Sequence, residues 1–207
     1  MTLHHTWSKT HIDIAVDPTG SAVFVPVLKA GSTYWIEQFT RAGWQRQPIT
    51  EIPSHLHRYC FGFICDPVMR YKRGLIEDLA SIMGRDLSFV RDMPTQYWRR
   101  PQIMGVHTLP ITQFYDAVYQ QIQWIDLAHS TQALQHICEN LGIPAVREST
   151  ECNRHSASPQ HQALRSHIFG SVPDGLIRTW LEFYAPMDQD LWRATQHTRL
   201  PLLGRSQ

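Results

Sequence analysis

A short segment that combines a lysine, a glycine and two hydroxyl side chains is the part of this sequence best suited to chemistry. Its residues are Lys29, Ala30, Gly31, Ser32 and Thr33. The segment lies between an apolar run, Ser21–Leu28, and an amphipathic stretch, Tyr34–Ala42. A strand, a glycine turn and a helix start present unpaired backbone N–H groups and the positive end of the helix dipole to an anion. The segment therefore predicts a turn that binds phosphate or sulfate, and the alternative is an ordinary strand-to-helix turn with a surface lysine.

A second group of cations follows the next predicted strand. Arg70, Lys72 and Arg73 fall in the first turns of a predicted helix that begins after Cys65-Asp-Pro67. Cations at a helix start are slightly unfavourable, so this placement is more natural if an anion binds there. Ligands bind at the carboxyl ends of parallel strands. We therefore expect Arg70 and Arg73 to lie in one site with the segment Lys29–Thr33, which we call the lysine turn. The alternative is a solvated helix face with Arg73 paired to Glu77.

These two motifs, taken together, resemble those of the carbohydrate sulfotransferases that use 3′-phosphoadenosine 5′-phosphosulfate (PAPS). Lys29–Thr33 is similar to the family's Lys-x-Gly-Ser/Thr-Thr, and Asp66-Pro-x-x-Arg70 to its Arg-Asp-Pro-x-x-Arg-x-x-Ser. The resemblance implies that the first motif holds the 5′-phosphosulfate and the second the 3′-phosphate. Weaker matches continue in the family's order to residue 192, and they are Val106–Pro110, Trp124–Leu127, Glu151–Ser156 and Phe183–Trp192.

The sequence departs from the family pattern at two positions that contact the 3′-phosphate. Cys65 stands where the family has arginine, and Arg73 stands where it has serine. A guanidinium group binds phosphate in a bidentate manner. Arg73, with Lys72 or Arg70, could therefore replace the lost charge.

The resemblance implies a sulfotransferase that moves a sulfuryl group from PAPS to a hydroxyl of an acceptor, which we expect to be a carbohydrate. Lys29 and the N–H groups around Gly31–Thr33 would stabilise charge on the leaving phosphate, without a metal ion. The expected general base is His107, which lies in the segment that matches the family's histidine, because imidazole accepts a proton near neutral pH. The reserve candidates are His55, His57 and His155.

The acceptor site is expected in the region 85–115, where helical or strand periodicity is weak. The segment Tyr97–Gln102 combines aromatic and arginine side chains, which suit sugar rings and their anionic groups. The alternative is that Trp98 packs in the core while Arg99 and Arg100 face solvent.

Length and composition narrow the class of protein. The 207 residues predict one domain, with residues 1–20 as a polar N-terminal extension that ends in a turn at Asp17–Gly20. A net charge of +1 gives no reason to expect nucleic-acid binding, and no apolar run is long enough to cross a membrane. The four cysteines show no disulfide framework, and the cysteines and histidines lack metal-site spacing. We expect a cytoplasmic protein without a metal.

The element pattern predicts an α/β fold. Three strands are predicted, at Ala22–Val25, Tyr59–Ile64 and Gln123–Leu127. The predicted helices are Tyr34–Ala42, Val68–Met83, Thr131–Leu141 and a late helix over 176–184. Repeated strand–helix units indicate a central parallel sheet flanked by helices. The resemblance implies that this is a three-layer fold like that of the P-loop kinases.

Two other functions stay open. One is a nucleotide-dependent, kinase-like enzyme with a degenerate phosphate loop, which would need Mg²⁺ and a carboxylate such as Asp66 near the loop. The other is a non-catalytic binding protein that keeps the sulfotransferase fold, an alternative prompted by Cys65.

Overall fold

A mixed five-stranded sheet forms the centre of the protein, whose computed structural model describes residues 11–82, 107–146 and 158–197. The strands are β1 (Asp13–Val16), β2 (Ala22–Phe24), β3 (Gln45–Pro48), β4 (Tyr59–Ile64) and β5 (Gln123–Asp126). Their order across the sheet is β3-β1-β2-β4-β5. Strands β2, β4 and β5 run parallel, and β1 runs antiparallel to both of its neighbours.

The helices connect these strands and follow the last of them. They are α1 (Ser32–Arg41), α2 (Ile52–His55), α3 (Pro67–Glu77), α4 (Ile111–Tyr115), α5 (Ser130–Leu141), α6 (Pro159–Ser171), α7 (Asp174–Tyr184) and α8 (Pro186–His197). A wider, π-type turn over Asp78–Ile82 continues α3. None of the helices in the described ranges has the length and apolar character needed to cross a membrane.

The α/β class predicted from sequence is confirmed, and the three predicted strands form as a parallel group. Tyr59–Ile64 has the predicted bounds, and five of its six residues are buried. β2 ends two residues before Pro26, which lacks the N–H needed to continue a strand ladder. The sheet as a whole is mixed rather than wholly parallel, because β1 and β3 extend it on one side.

Strand β1 lies in the segment that the sequence assigns to an N-terminal extension, so that assignment is wrong for residues 13–16. Ile14 and Ala15 are fully buried beside β2. The predicted turn at Asp17–Gly20 joins the two strands. The Asp17 carboxylate accepts hydrogen bonds from the backbone N–H groups of Thr19 (2.8 Å) and Ala22 (2.5 Å).

Apolar side chains cover both faces of the sheet. On one face α1 and α5 bury an aromatic-rich cluster that includes Phe24, Phe39 and Phe61. On the other face α4 and α8 pack near Val25 and Trp124. A third cluster joins α3 to α6 and α7, so α3 packs against two late helices.

The ends of the helices can be compared with those predicted from the sequence. α1 begins directly after Gly31, whose φ is +77° and which has no side chain to cap the first N–H groups of the helix. α5 begins at Ser130, one residue before the predicted Thr131, and ends as predicted at Gly142 in the left-handed region. The last residue of the predicted helix Val68–Met83 lies outside the described residues.

Candidate functional site

The lysine turn has an unusual backbone. Lys29 has a φ of +64° and Gly31 a φ of +77°. A positive φ is uncommon for a residue with a side chain, and such strained positions cluster at functional sites. The turn leads from β2 to the first residues of α1, Ser32 and Thr33, where the N-terminal amides and the dipole favour a negative charge. This geometry suits an anion at the turn.

Lys29 and Arg73 are neighbours. A guanidinium nitrogen of Arg73 donates to the Lys29 carbonyl oxygen at 3.4 Å. The Lys29 ammonium lies 2.9 Å from a carboxylate oxygen of Glu77, one helical turn further along α3. The lysine turn and α3 meet because they follow β2 and β4, which are adjacent and parallel. The segments after both strands therefore lie at the same edge of the sheet.

Arg70 lies in a different environment. Its guanidinium is buried, donates to the Leu109 carbonyl oxygen at 2.6 Å and pairs with the Asp188 carboxylate at 3.4 Å. Asp188 also accepts the backbone N–H groups of Ile111 (2.7 Å) and Thr112 (3.0 Å), and so caps α4. Nε of Arg70 is buried and has no hydrogen-bond partner among the described residues. A phosphate that bound Arg70 would have to compete with Asp188.

The N-terminus of α3 already holds a carboxylate from the chain. Asp66 accepts the N–H groups of Val68 at 2.7 Å and Met69 at 3.4 Å, which is N-cap geometry. The preceding Cys65 is half-buried, and its burial raises the pKa of the thiol against the opposing effect of Arg73. Of the predicted 3′-phosphate ligands, Arg73 is therefore the one that reaches the lysine turn.

His107 forms a dyad with a buried carboxylate. Its Nδ1 lies 2.7 Å from Oδ1 of Asp78, and Thr108 donates its hydroxyl to the other oxygen, Oδ2, at 3.0 Å. Asp78 is 0% exposed and begins the π-type turn after α3. When Nδ1–H donates to the carboxylate, the neutral ring keeps Nε2 as a proton acceptor. This geometry suits a histidine that accepts a proton from a bound group.

Gly74 lets the His107 backbone lie directly against α3. A Cβ atom at Gly74 would come within 2.4 Å of the His107 carbonyl oxygen and 2.8 Å of its carbonyl carbon. Real Cβ atoms do not approach backbone that closely, so a side chain here would push the segment away. The dyad therefore depends on a glycine in the middle of a helix.

A cavity of about 410 Å³ lies between the start of α1 and His107. Ser32, Thr33 and His107 all line it, together with apolar side chains that include Pro26, Leu28 and Ile36. An ion pair between Asp13 and Arg46, at 2.7 Å, also belongs to its lining. Its volume is in the range of small-molecule sites. A group held at the start of α1 would face the same cavity as His107.

The other candidate histidines lie elsewhere. His55 and His57 precede β4 and so lie at the amino ends of the parallel strands, opposite the lysine turn. His55 is buried and bonded to Gln47 at 2.7 Å, and burial lowers its pKa. His155 lies outside the described residues, as do most of the expected acceptor region and its segment Tyr97–Gln102.

Three residues of this site were not singled out as functional by sequence reasoning. Asp78 and Glu77 look like ordinary acids on the polar side of a helix, and the sequence indicates Glu77 only as a partner of Arg73. Gly74 carries a usable signal, because a glycine inside a helical pattern destabilises the helix and so points to a packing or functional reason. Among the described residues, no group of three or more His, Cys, Asp or Glu side chains could hold a metal ion.

Comparison of the chain with protein-family models, with curated proteins and with solved structures finds no match. Function is therefore inferred from the residues and their geometry.

Proposed function

We propose that this protein is a PAPS-dependent sulfotransferase that acts on a hydroxyl of an acceptor, with carbohydrates as the expected class, on a three-layer P-loop-kinase-like fold. The observation that carries the proposal is the shared cavity. It is lined by Ser32 and Thr33 at the start of α1 and by His107, which the buried Asp78 orients. Sulfuryl transfer needs these two parts together, an anion-binding turn and a base for the acceptor proton.

In the proposed reaction, the acceptor hydroxyl attacks the sulfur of the donor in line with the departing phosphate. The bond from sulfur to the acceptor oxygen forms while the bond from sulfur to the bridging phosphate oxygen breaks. The acceptor proton goes to Nε2 of His107, and the electron pair of the broken bond goes to the phosphate of adenosine 3′,5′-bisphosphate. Lys29 and the N–H groups of Gly31–Thr33 stabilise that phosphate, at about 3–4 kcal/mol for each well-placed donor.

Arg73 is the cation best placed for the 3′-phosphate in this proposal. It is half-buried and contacts the Lys29 carbonyl, whereas Arg70 is committed to Asp188. Arg73 then supplies the positive charge that the family carries at the position of Cys65.

Thermal unfolding with adenosine 3′,5′-bisphosphate tests the proposal. A ligand that binds only the folded state stabilises it by about 2.7 kcal/mol at 100 times its Kd, which is several degrees for a chain of this size. The melting temperature should rise in the presence of EDTA, and Lys29→Ala should reduce the rise sharply. A well-folded protein whose melting temperature is unchanged at millimolar bisphosphate would contradict the proposal.

The same experiment separates the alternatives. Stabilisation by ATP only with Mg²⁺ would indicate the kinase-like enzyme. A non-catalytic binding protein is favoured by one observation, the commitment of Asp66 and Arg70 to contacts within the chain. Binding of the bisphosphate without sulfuryl transfer from PAPS would select it.

A cytoplasmic location is also part of the proposal. It is supported by Cys60, Cys65 and Cys138, which are free thiols in the structure, as a reducing compartment would keep them.

A further inference from the structure

A chain of three charged or polar side chains ties the lysine turn to α3 and α6. One carboxylate oxygen of Glu77, Oε2, lies 2.9 Å from the Lys29 ammonium and 3.5 Å from Nε2 of His161. The other ring nitrogen of His161 lies 3.1 Å from the hydroxyl of Ser158, which caps α6 by accepting the His161 N–H. The carboxylate is therefore held between the turn and the start of a helix.

These groups are more enclosed than an ordinary surface ion pair. The exposed fractions of the side chains are 23% for Lys29, 29% for Glu77 and 17% for His161. Partial burial reduces solvent screening between the charges. The pair therefore has more influence on the position of the ammonium than most surface pairs have.

Glu77 and Arg73 together restrain Lys29 at both ends. Arg73 holds the carbonyl oxygen of this left-handed residue, and Glu77 holds the end of its side chain. A lysine has a flexible four-carbon stem, so without Glu77 the ammonium would sample many positions. With Glu77, its direction is set before any anion arrives.

We propose that Glu77, supported by His161, is the positioning residue for Lys29. In this role Glu77 lowers the affinity for the donor nucleotide and raises the turnover number. This inference rests on the proposed sulfotransferase function. A carboxylate beside an anion site repels the phosphates of the bound nucleotide, which weakens binding of substrate and product alike. The same carboxylate keeps the ammonium where charge develops on the leaving oxygen, and only an interaction realised in the transition state raises turnover.

The test compares Glu77→Gln with wild type and with Glu182→Gln. Glutamine keeps the shape of the side chain and removes the charge, and Glu182 is an exposed carboxylate on α7 that serves as the matched control. Binding is measured by calorimetry with adenosine 3′,5′-bisphosphate. Turnover is measured with ³⁵S-labelled PAPS and a mixture of mono- and disaccharide acceptors.

Glu77→Gln should bind the bisphosphate about threefold to tenfold more tightly while its kcat falls at least tenfold. These changes are expected when one partly screened negative charge is lost and when Lys29, which makes the transition-state contact, is no longer held in position. The control should match wild type in both. A purely structural link between α3 and α6 would lower the melting temperature and weaken binding instead, and that result overturns the inference. An affinity and a kcat that are both unchanged in Glu77→Gln would also overturn the inference.

His161→Gln provides a second variant if Glu77→Gln does not fold. It should shift affinity and kcat in the same directions by a smaller factor, and no shift would count against the inference. If wild type binds and transfers but neither variant differs from it, only this inference fails. If wild type binds no bisphosphate, the proposed function fails with it.

Discussion

Nδ1 of His107 lies 2.7 Å from Oδ1 of Asp78, a carboxylate with no solvent exposure. The contact joins two segments 29 residues apart, and it fixes which ring nitrogen of His107 can take a proton. Asp78 belongs to the turn that continues α3, the helix whose Arg73 and Glu77 contact Lys29. One helix and its extension therefore position both the proposed base and the proposed cation.

Replacing Asp78 with asparagine should lower kcat by roughly 10²- to 10⁴-fold, the usual contribution of a general base. The amide can donate to Nδ1, which would favour the ring tautomer whose Nε2 carries the proton and cannot accept another. Affinity for the bisphosphate should stay within about twofold, since Asp78 acts through His107 and Thr108 rather than through the lysine turn. Transfer assays of Asp78→Asn, His107→Ala and the double variant check this. Residues that act as a unit lose activity non-additively, so the double variant should be no slower than His107→Ala.

Gly74→Ala should lower turnover at least tenfold, because a methyl group 2.4 Å from the His107 carbonyl oxygen must displace that segment. The matched control is Gly170→Ala on α6, where a Cβ would meet no described atom within 4 Å. That change should raise the free energy of unfolding by about 0.5–1 kcal/mol, the usual helix preference for alanine. Denaturant unfolding and transfer assays on both variants measure the contrast. Full activity in Gly74→Ala would mean that the His107 segment is not positioned by this contact.

Replacing Arg70 should mainly lower the stability of the protein, whereas replacing Arg73 should mainly weaken binding of the bisphosphate. Arg70→Met leaves the buried Asp188 without its cation, and removing one partner of a buried pair costs about 3–5 kcal/mol of unfolding free energy. Arg73→Met should change stability by less than about 1 kcal/mol but weaken bisphosphate binding at least tenfold, as for one charge-assisted phosphate contact. Chemical denaturation and calorimetry of the two variants test the assignment. The opposite pattern would show that Arg70 is the phosphate ligand.

The stability of the protein should fall at mildly acidic pH through His55. Burial, reinforced by Arg58, lowers the pKa of His55 below its ordinary value of 6.5. The unfolded chain then binds the proton more readily than the folded one, so the contribution of His55 to stability is fully present above pH 6.5. It is lost as the pH falls through the lowered pKa. Unfolding free energies measured between pH 7.5 and 5 should fall less steeply in His55→Gln than in wild type, and equal slopes would exclude His55 as a source of this dependence.

The core strands were predictable because each is a short apolar run bounded by a strong turn signal. Asp66-Pro67 ends β4 in the sequence and in the structure, and Gly142 ends α5. Strand β3 was not predictable in this way. Its residues, Gln45–Pro48, are mostly exposed at the edge of the sheet, where pairing with β1 needs no apolar face.

The site was predictable only in part, for a related reason. The lysine turn is contiguous in sequence, so its residues are recognisable without knowledge of the fold. Contacts such as Arg70 with Asp188, 118 residues apart, and His107 with Asp78 depend on how α3 packs against later segments. The sequence around an acidic residue on the polar side of a helix, such as Asp78, does not indicate which distant residue it will contact.

A crystal structure of the protein with adenosine 3′,5′-bisphosphate bound tests the proposed nucleotide site most directly. The 5′-phosphate should lie within hydrogen-bond distance of the Gly31–Thr33 amides and the Lys29 ammonium, with the 3′-phosphate on Arg73. A nucleotide bound away from this turn, or an empty turn in crystals grown at millimolar bisphosphate, would contradict it.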